Sequence, residues 1–409
     1  MHRLKTKFVL FLILAIALLF FSNNFGLLDI EKTAIITAVG IDLVEDKYEV
    51  TAQIAVPEAT DTNSENKKTQ ISGKGYTVAE ALKSIGDTTG WYPQLNFCNL
   101  LILGKSTEKE NCITMLDYFA KTLRLQDSAV LVLADTSAKE ILQTSSPLDN
   151  ISSFALQKIL LKAQGFNDDI ATIDIKSFAS GYYSNSNSSY MPIVKMKMIE
   201  EDASNGGSQS NSNQGEMIAS SSATGGGENK KGKYCVFIAS NTALYKKGFK
   251  VGTLDAFQTI FFNALRSKNL RYTTIPLKDI APTILEELHN LLFTILRCNA
   301  SMNITSTVNE LNVNVDFKIY GKIVDQNSDY SDATFAKNIP LPTSVKEALA
   351  QKIKNCVMEL FQISRDTRCD FLEIGDKIYR FNHKNYFRYK DNYLDVMKIK
   401  VNVEVSGQK

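Results

Sequence analysis

Cysteine is scarce in this chain of 409 residues, and none precedes Cys98. The six present (Cys98, Cys112, Cys235, Cys298, Cys356 and Cys369) form no CxxC pair, and none neighbours a histidine. Structural zinc needs ligands in tight pairs, so this scatter argues against it. An exported chain could hold disulfides, but six cysteines leave their pairing open, and small buried side chains are the favoured reading. Histidine (three) and tryptophan (one) are nearly absent. Charge of one sign is lacking too: 46 Lys and Arg against 44 Asp and Glu leave a net +2. No basic stripe interleaved with aromatics runs along the chain, which argues against a nucleic-acid binder.

Motifs of catalysis are also missing. There is no GxSxG, P-loop, HExxH or strand-borne GxGxxG, and no cofactor motif. Gly104-Lys105-Ser106 imitates the end of a P-loop, but Asn99 stands where the upstream glycine is needed. Glu286, Glu287 and His289 fit the solvated face of an amphipathic helix better than an acid–base pair. Asp42, two residues after Gly40, reads as a strand-closing turn rather than a ligand. The expectation is a protein that is not an enzyme.

What is present begins at the N-terminus. Arg3, Lys5 and Lys7 precede an uninterrupted apolar run over residues 8–21. A basic start before an apolar run is an export signal, with the basic end held in the cytoplasm. Fourteen helical residues reach about 21 Å, short of the roughly 30 Å hydrocarbon core. That length suits a signal-peptide core, yet no A-x-A-like cleavage site follows. Counted through Leu28, with Ser22-Asn23-Asn24 interrupting it, the segment reaches 21 residues and can serve as an uncleaved anchor.

The remainder reads as mixed α/β (α+β) in several domains, with apolar content of 44% to supply cores. Residues 33–42 form a first strand. Residues 48–56 alternate strictly, with Tyr48, Val50, Ala52 and Ile54 on one face, as a half-buried strand does. Residues 58–70 are a polar loop. Four capping boxes, opening at Thr77, Thr107, Ser137 and Ser344, predict helix starts. Apolar stripes follow: Val78, Ala81, Leu82 and Ile85 after the first, and Ile113, Leu116, Phe119, Ala120 and Leu123 after the second. Strands at 97–103 and 129–133 and a helix over 151–164 complete an N-terminal α/β core.

Composition then breaks: 17 of residues 201–230 are Gly, Ser or Asn. The stretch reads as a flexible linker between domains 29–200 and 231–409, or as a loop inserted within one domain. Beyond it, 234–245 and 249–254 pair as a hairpin, and a helix follows Asp255. A long alternating strand follows at 308–323. The longest helix runs to about Ile363 with the stripe Val345, Leu349, Ile353, Val357 and Leu360. A last alternating strand covers 396–405. The C-terminal domain is thus one of long antiparallel strands with one long helix. Tyr386, Phe387, Arg388, Tyr389 and Tyr393 are read either as an interaction surface or as the edge of a core.

Taken in order, several segments resemble one family. They are AIITAVGID (34–42), YEVTAQ (48–53), GYTVAEAL (75–82), LDYF (116–119), SAKEIL (137–142), ALY (243–245), VGTL (251–254) and CDFLEIGD (369–376). The chain is similar to the Ger(x)C family, the C subunits of spore germinant receptors in endospore-forming bacteria. The resemblance implies a non-enzymatic receptor component at the spore inner membrane, on its extracytoplasmic side. It implies membrane-embedded A and B subunits as partners, sensing of small nutrients by the complex, and no nucleic acid. Gly40, Asp42, Gly252, Asp370 and Gly375 fall on the family's motifs and are expected to be structural. One departure is plain: members carry a lipid-accepting Cys after the apolar run, where this chain has Leu27 and Leu28. Neither can be acylated. A membrane-anchored extracytoplasmic solute-binding protein is the alternative reading.

Overall fold

The computed structural model describes residues 11–15, 33–55, 70–122, 125–144, 151–162, 169–200, 233–267, 269–270, 273–280, 291–307, 310–325 and 341–407. Leu27, Leu28, residues 58–69 and 201–230, and the group Glu286, Glu287 and His289 lie outside these. Residues 11–15 are helical. No helix among the described residues is long and apolar enough to cross a membrane.

Strands β1 (Thr33–Val44) and β2 (Lys47–Ile54) form a hairpin. Its turn places Glu45 and Asp46 at φ 51° and 60°, the left-handed pair that matches the twist of a two-residue hairpin. Strand β3 (Gln70–Gly75) extends it antiparallel, and β4 (Tyr92–Gln94) pairs with the start of β1. On the other side β5 (Leu100–Leu103), β6 (Val130–Ala134) and β7 (Ser188–Glu200) continue the sheet in parallel. Strands β8 (Lys233–Lys246) and β9 (Phe249–Leu254) close it antiparallel, in the order β3-β2-β1-β5-β6-β7-β8-β9.

Every residue of β5 and β6 is buried, as parallel strands covered on both faces require. Helices α1 (Val78–Thr89), α2 (Cys112–Thr122) and α5 (Ile175–Tyr183) cover one face. Helices α3 (Ala138–Gln143) and α4 (Ser152–Lys162) cover the other. That second cover corrects the expectation of a half-buried β2. Thr51 and Gln53, on its polar face, are both fully buried. Gln53 Nε2 donates to Leu142 O (3.2 Å) and Ser152 Oγ (3.1 Å), and its Oε1 accepts from Ser153 N (2.9 Å). An alternating strand signals polar side chains on one face; here Gln53 bonds the ends of two helices and Thr51 bonds Ser72 of β3 (2.9 Å) rather than water.

The expected division at 201–230 does not coincide with a break between sheets. Strands β7 and β8 pair antiparallel from Ser188↔Lys246 to Glu200↔Lys233, with one register shift between Ile193 and Val194. The Gly/Ser/Asn stretch therefore joins neighbouring strands of one sheet, and the 234–245/249–254 hairpin belongs to that sheet instead of a separate C-terminal core.

After β9, helix α6 (Ala256–Ser267) leads to a second sheet. It contains β10 (Asn269–Leu270), β11 (Thr273–Pro276), β12 (Leu291–Ser306), β13 (Leu311–Asp325) and β14 (Lys398–Gly407). The long β12–β13 pair is antiparallel as expected, while β14 runs parallel to β13. A parallel return needs a crossover, supplied by α7 (Thr343–Thr367), α8 (Ile374–Phe381), α9 (His383–Tyr389) and α10 (Tyr393–Val396). The predicted stripe of α7, Val345 to Leu360, is buried at every position. One apolar cluster runs from the first sheet through α6 into the second. Phe262 marks the passage, edge-on to Tyr190 of β7 (4.9 Å, 79°) and to Phe371 (5.5 Å, 74°) in the turn after α7.

Candidate functional site

The motif residues gather at two joints, each built on a carboxylate that reaches a helix start from outside the helix. Asp42, expected at a turn, lies inside β1 and is buried. Its Oδ1 accepts from Ala138 N (3.0 Å), and its Oδ2 from Lys139 N (2.9 Å) and Ser137 Oγ (2.9 Å). The predicted capping box at Ser137 is thus replaced by a cap from 95 residues upstream. An anion there satisfies free N–H groups and meets the positive end of the helix dipole. Gly40 lets the two elements touch: a Cβ there would stand 2.9 Å from Ala138 Cβ.

Asp370 repeats the device at α8. Its Oδ1 accepts from Ile374 N (2.9 Å), and its Oδ2 from Gly375 N (2.7 Å) and Tyr393 Oη (2.9 Å). Asp370 is wholly buried. Burial pushes its carboxyl above the usual Asp range, against the pull of the three donors. A side chain on Gly375 would meet the Tyr393 ring at 2.9 Å. The same segment is tied to the first sheet. Asp370 N donates to Ser188 Oγ (3.0 Å), Cys369 Sγ to Tyr245 O (3.2 Å), and Asn185 N to Asp376 Oδ1 (3.0 Å). Gly252 of β9 faces Thr367 at the end of α7, where a Cβ would come within 3.1 Å of its methyl. Asp370, Gly375 and Gly252 therefore share one joint between the sheets, whereas Gly40 and Asp42 lie at a separate one.

Not every predicted cap formed. Thr77 caps α1 as expected, accepting from Glu80 N (3.1 Å) while Glu80 Oε2 takes Tyr76 N (2.8 Å). Thr107 instead donates to Gly104 O (2.7 Å) in a single 3₁₀ turn, and α2 starts only at Cys112. Pro342, without a side-chain bond, precedes α7 in place of Ser344. Asp255 with Gln258 forms a reciprocal capping box at α6 (2.8 and 3.1 Å) that a D-x-x-Q search would have found.

The aromatic stretch divides. Tyr389 and Tyr393 are buried at the core edge, while Phe387 is exposed. All six cysteines are buried free thiols, as favoured from their spacing. Burial pushes those of Cys98, Cys112 and Cys369 up to about 12. Among the described residues no group of His, Cys, Asp or Glu could hold a metal.

Beside the Asp370 joint a cleft of about 370 Å³ opens between α5, β7 and α8. Serines 177, 180, 184, 186, 188 and 189 line it, together with Lys176, Arg266, Arg380, Glu373 and Asp376. Hydroxyls with charges of both signs suit a small polar molecule.

Two sheets joined through a shared core and a buried cap define a mixed α/β protein. Residues 28–196 match the model of the spore germination protein N-terminal domain, and residues 240–408 match that of the spore germination B3/GerAC-like C-terminal domain. The chain belongs to the Ger(x)C family, that of the germinant-receptor C subunits. A solved structure titled "Crystal Structure of the GerBC protein" shares its fold, at a TM-score of 0.50 and 16% identity over 93% of this chain and 100% of that one. No curated protein matches it.

Proposed function

We propose that this chain is the non-enzymatic C subunit of a germinant receptor, acting in nutrient-triggered germination through contacts with the A and B subunits. The observation that carries this reading is the match of both family domains, in order, across nearly the whole chain. The buried motif carboxylates support a structural role: helix ends and Tyr393 take their oxygens, leaving no free base. We place the folded part on the outer face of the spore inner membrane. Three basic residues before the apolar run favour that orientation, and with Leu27 and Leu28 where the family has Cys, the segment counted through Leu28 serves as anchor. Affinity purification of the tagged chain from solubilised spore membranes should bring down A and B subunits together. Recovery of the chain alone, under conditions that keep another receptor intact, would count against the reading.

The serine-lined cleft favours a second reading, capture of a polar solute by this subunit. Calorimetric titration of the detergent-solubilised chain with L-alanine should then give submillimolar binding that Arg380→Gln weakens. A flat titration over amino acids and sugars removes it.

A further inference from the structure

Residues 377–390 (KIYRFNHKNYFRYK) hold five Lys or Arg, five Phe or Tyr, and no acidic residue. They fold as α8 and α9, meeting at Asn382. The inner side is fixed to the end of β12: Asn382 and Asn385 donate to Ser306 O (3.0 and 2.7 Å), and Tyr389 Oη to Thr307 O (2.8 Å). Among the described residues the outer side is exposed. Phe381 is 86% exposed and Phe387 58%. Tyr379, His383 and Phe387 stack edge-on at 4.7 and 4.9 Å. Arg380, Lys384, Arg388 and Lys390 are all exposed, and among the described residues none has an acidic partner.

An exposed cluster of rings flanked by unpaired cations matches a lipid headgroup layer better than an apolar protein groove. Aromatic bodies lie at the headgroup level while Lys and Arg stems reach anionic headgroups. Placement agrees. Strands β1, β5, β6 and β7 are parallel, with Ile41, Leu103, Leu133 and Ile193 in register. The first residues of β1 and β7 therefore lie at the same end of the sheet, and α8 is bonded to the loop before β7 through Asn185 and Asp376. Three strand spacings, roughly 14 Å, separate the start of β1 from the start of β7. The chain reaches β1 from the apolar run over residues 8–21.

We propose that the α8–α9 surface docks on anionic phospholipid, on the membrane that the N-terminal run enters; this rests on the anchoring reading above. The test uses the full chain reconstituted in phosphatidylcholine vesicles with and without phosphatidylglycerol. An environment-sensitive fluorophore is placed at His383→Cys or, separately, at Leu14→Cys, the native thiols being buried. The expected result is lipid burial of the Leu14 label in both vesicles. The His383 label should be quenched by brominated lipid only with phosphatidylglycerol, less so at high salt. Lys384→Gln with Arg388→Gln should lower its docked-to-free ratio roughly 25-fold, about fivefold per charge. A water-exposed His383 label beside a lipid-buried Leu14 label would overturn the docking alone. Protection of His383 only after adding A and B subunits would overturn it in favour of a protein partner. Anionic-lipid quenching at His383 with Leu14 exposed would uphold docking and overturn the anchor.

Discussion

Asp370→Ala destabilises the protein by about 3–5 kcal/mol, because it leaves two helix N–H groups and the Tyr393 hydroxyl buried without an acceptor. Each buried donor left without an acceptor costs about 1–3 kcal/mol, and the three are not additive. The sign of the pH dependence follows from burial, which raises the Asp370 carboxyl in the folded state. A raised carboxyl contributes most below its unfolded pKa and loses that contribution as pH rises through the folded value. The cost of Asp370→Ala is therefore largest in acid and shrinks toward neutral pH. Urea unfolding at several pH values measures both. Hydrogen exchange at Ile374 and Gly375 should rise more than exchange in β5. A cost under about 1 kcal/mol, or one that grows with pH, contradicts the assignment.

Phe262→Ala should cost about 3–5 kcal/mol, the range for removing a buried aromatic side chain. The ring is 1% exposed and touches Tyr190 of the first sheet and Phe371 after α7. Its loss opens a cavity at the passage between the sheets, where neither side can close without moving a strand or a helix. Near-ultraviolet circular dichroism and protease susceptibility should report loosening on both sides of α6. Loosening confined to residues beyond 291 would mean that the sheets keep separate cores.

Much of this architecture is legible in local pattern. The strands read at 33–42, 48–56 and 308–323 are found as β1, β2 (ending at Ile54) and β13 (from Leu311), and the stripe of α7 is buried as its periodicity predicts. What escaped was long-range. Gln53 looks solvent-facing in its own strand and is buried only because α3 and α4 arrive from some 90 to 100 residues later. Ser137 marks its helix start correctly, yet the acceptor is Asp42, which no local window contains. Thr107 failed as a cap because its hydroxyl was taken by Gly104 O. At 201–230 the break in composition is not a break in pairing: β7 and β8, on either side of it, are neighbours in one sheet. The motif residues were readable as a set only through the family resemblance, since Asp370 and Ser188 have no local signature that joins them.

Germination of spores lacking this gene tests the receptor reading most directly. The account predicts normal spore yield and loss of the nutrient-triggered fall in optical density, restored by the wild-type gene and poorly by Asp370→Ala. Spores without the gene that respond to every nutrient at the parental rate would contradict it.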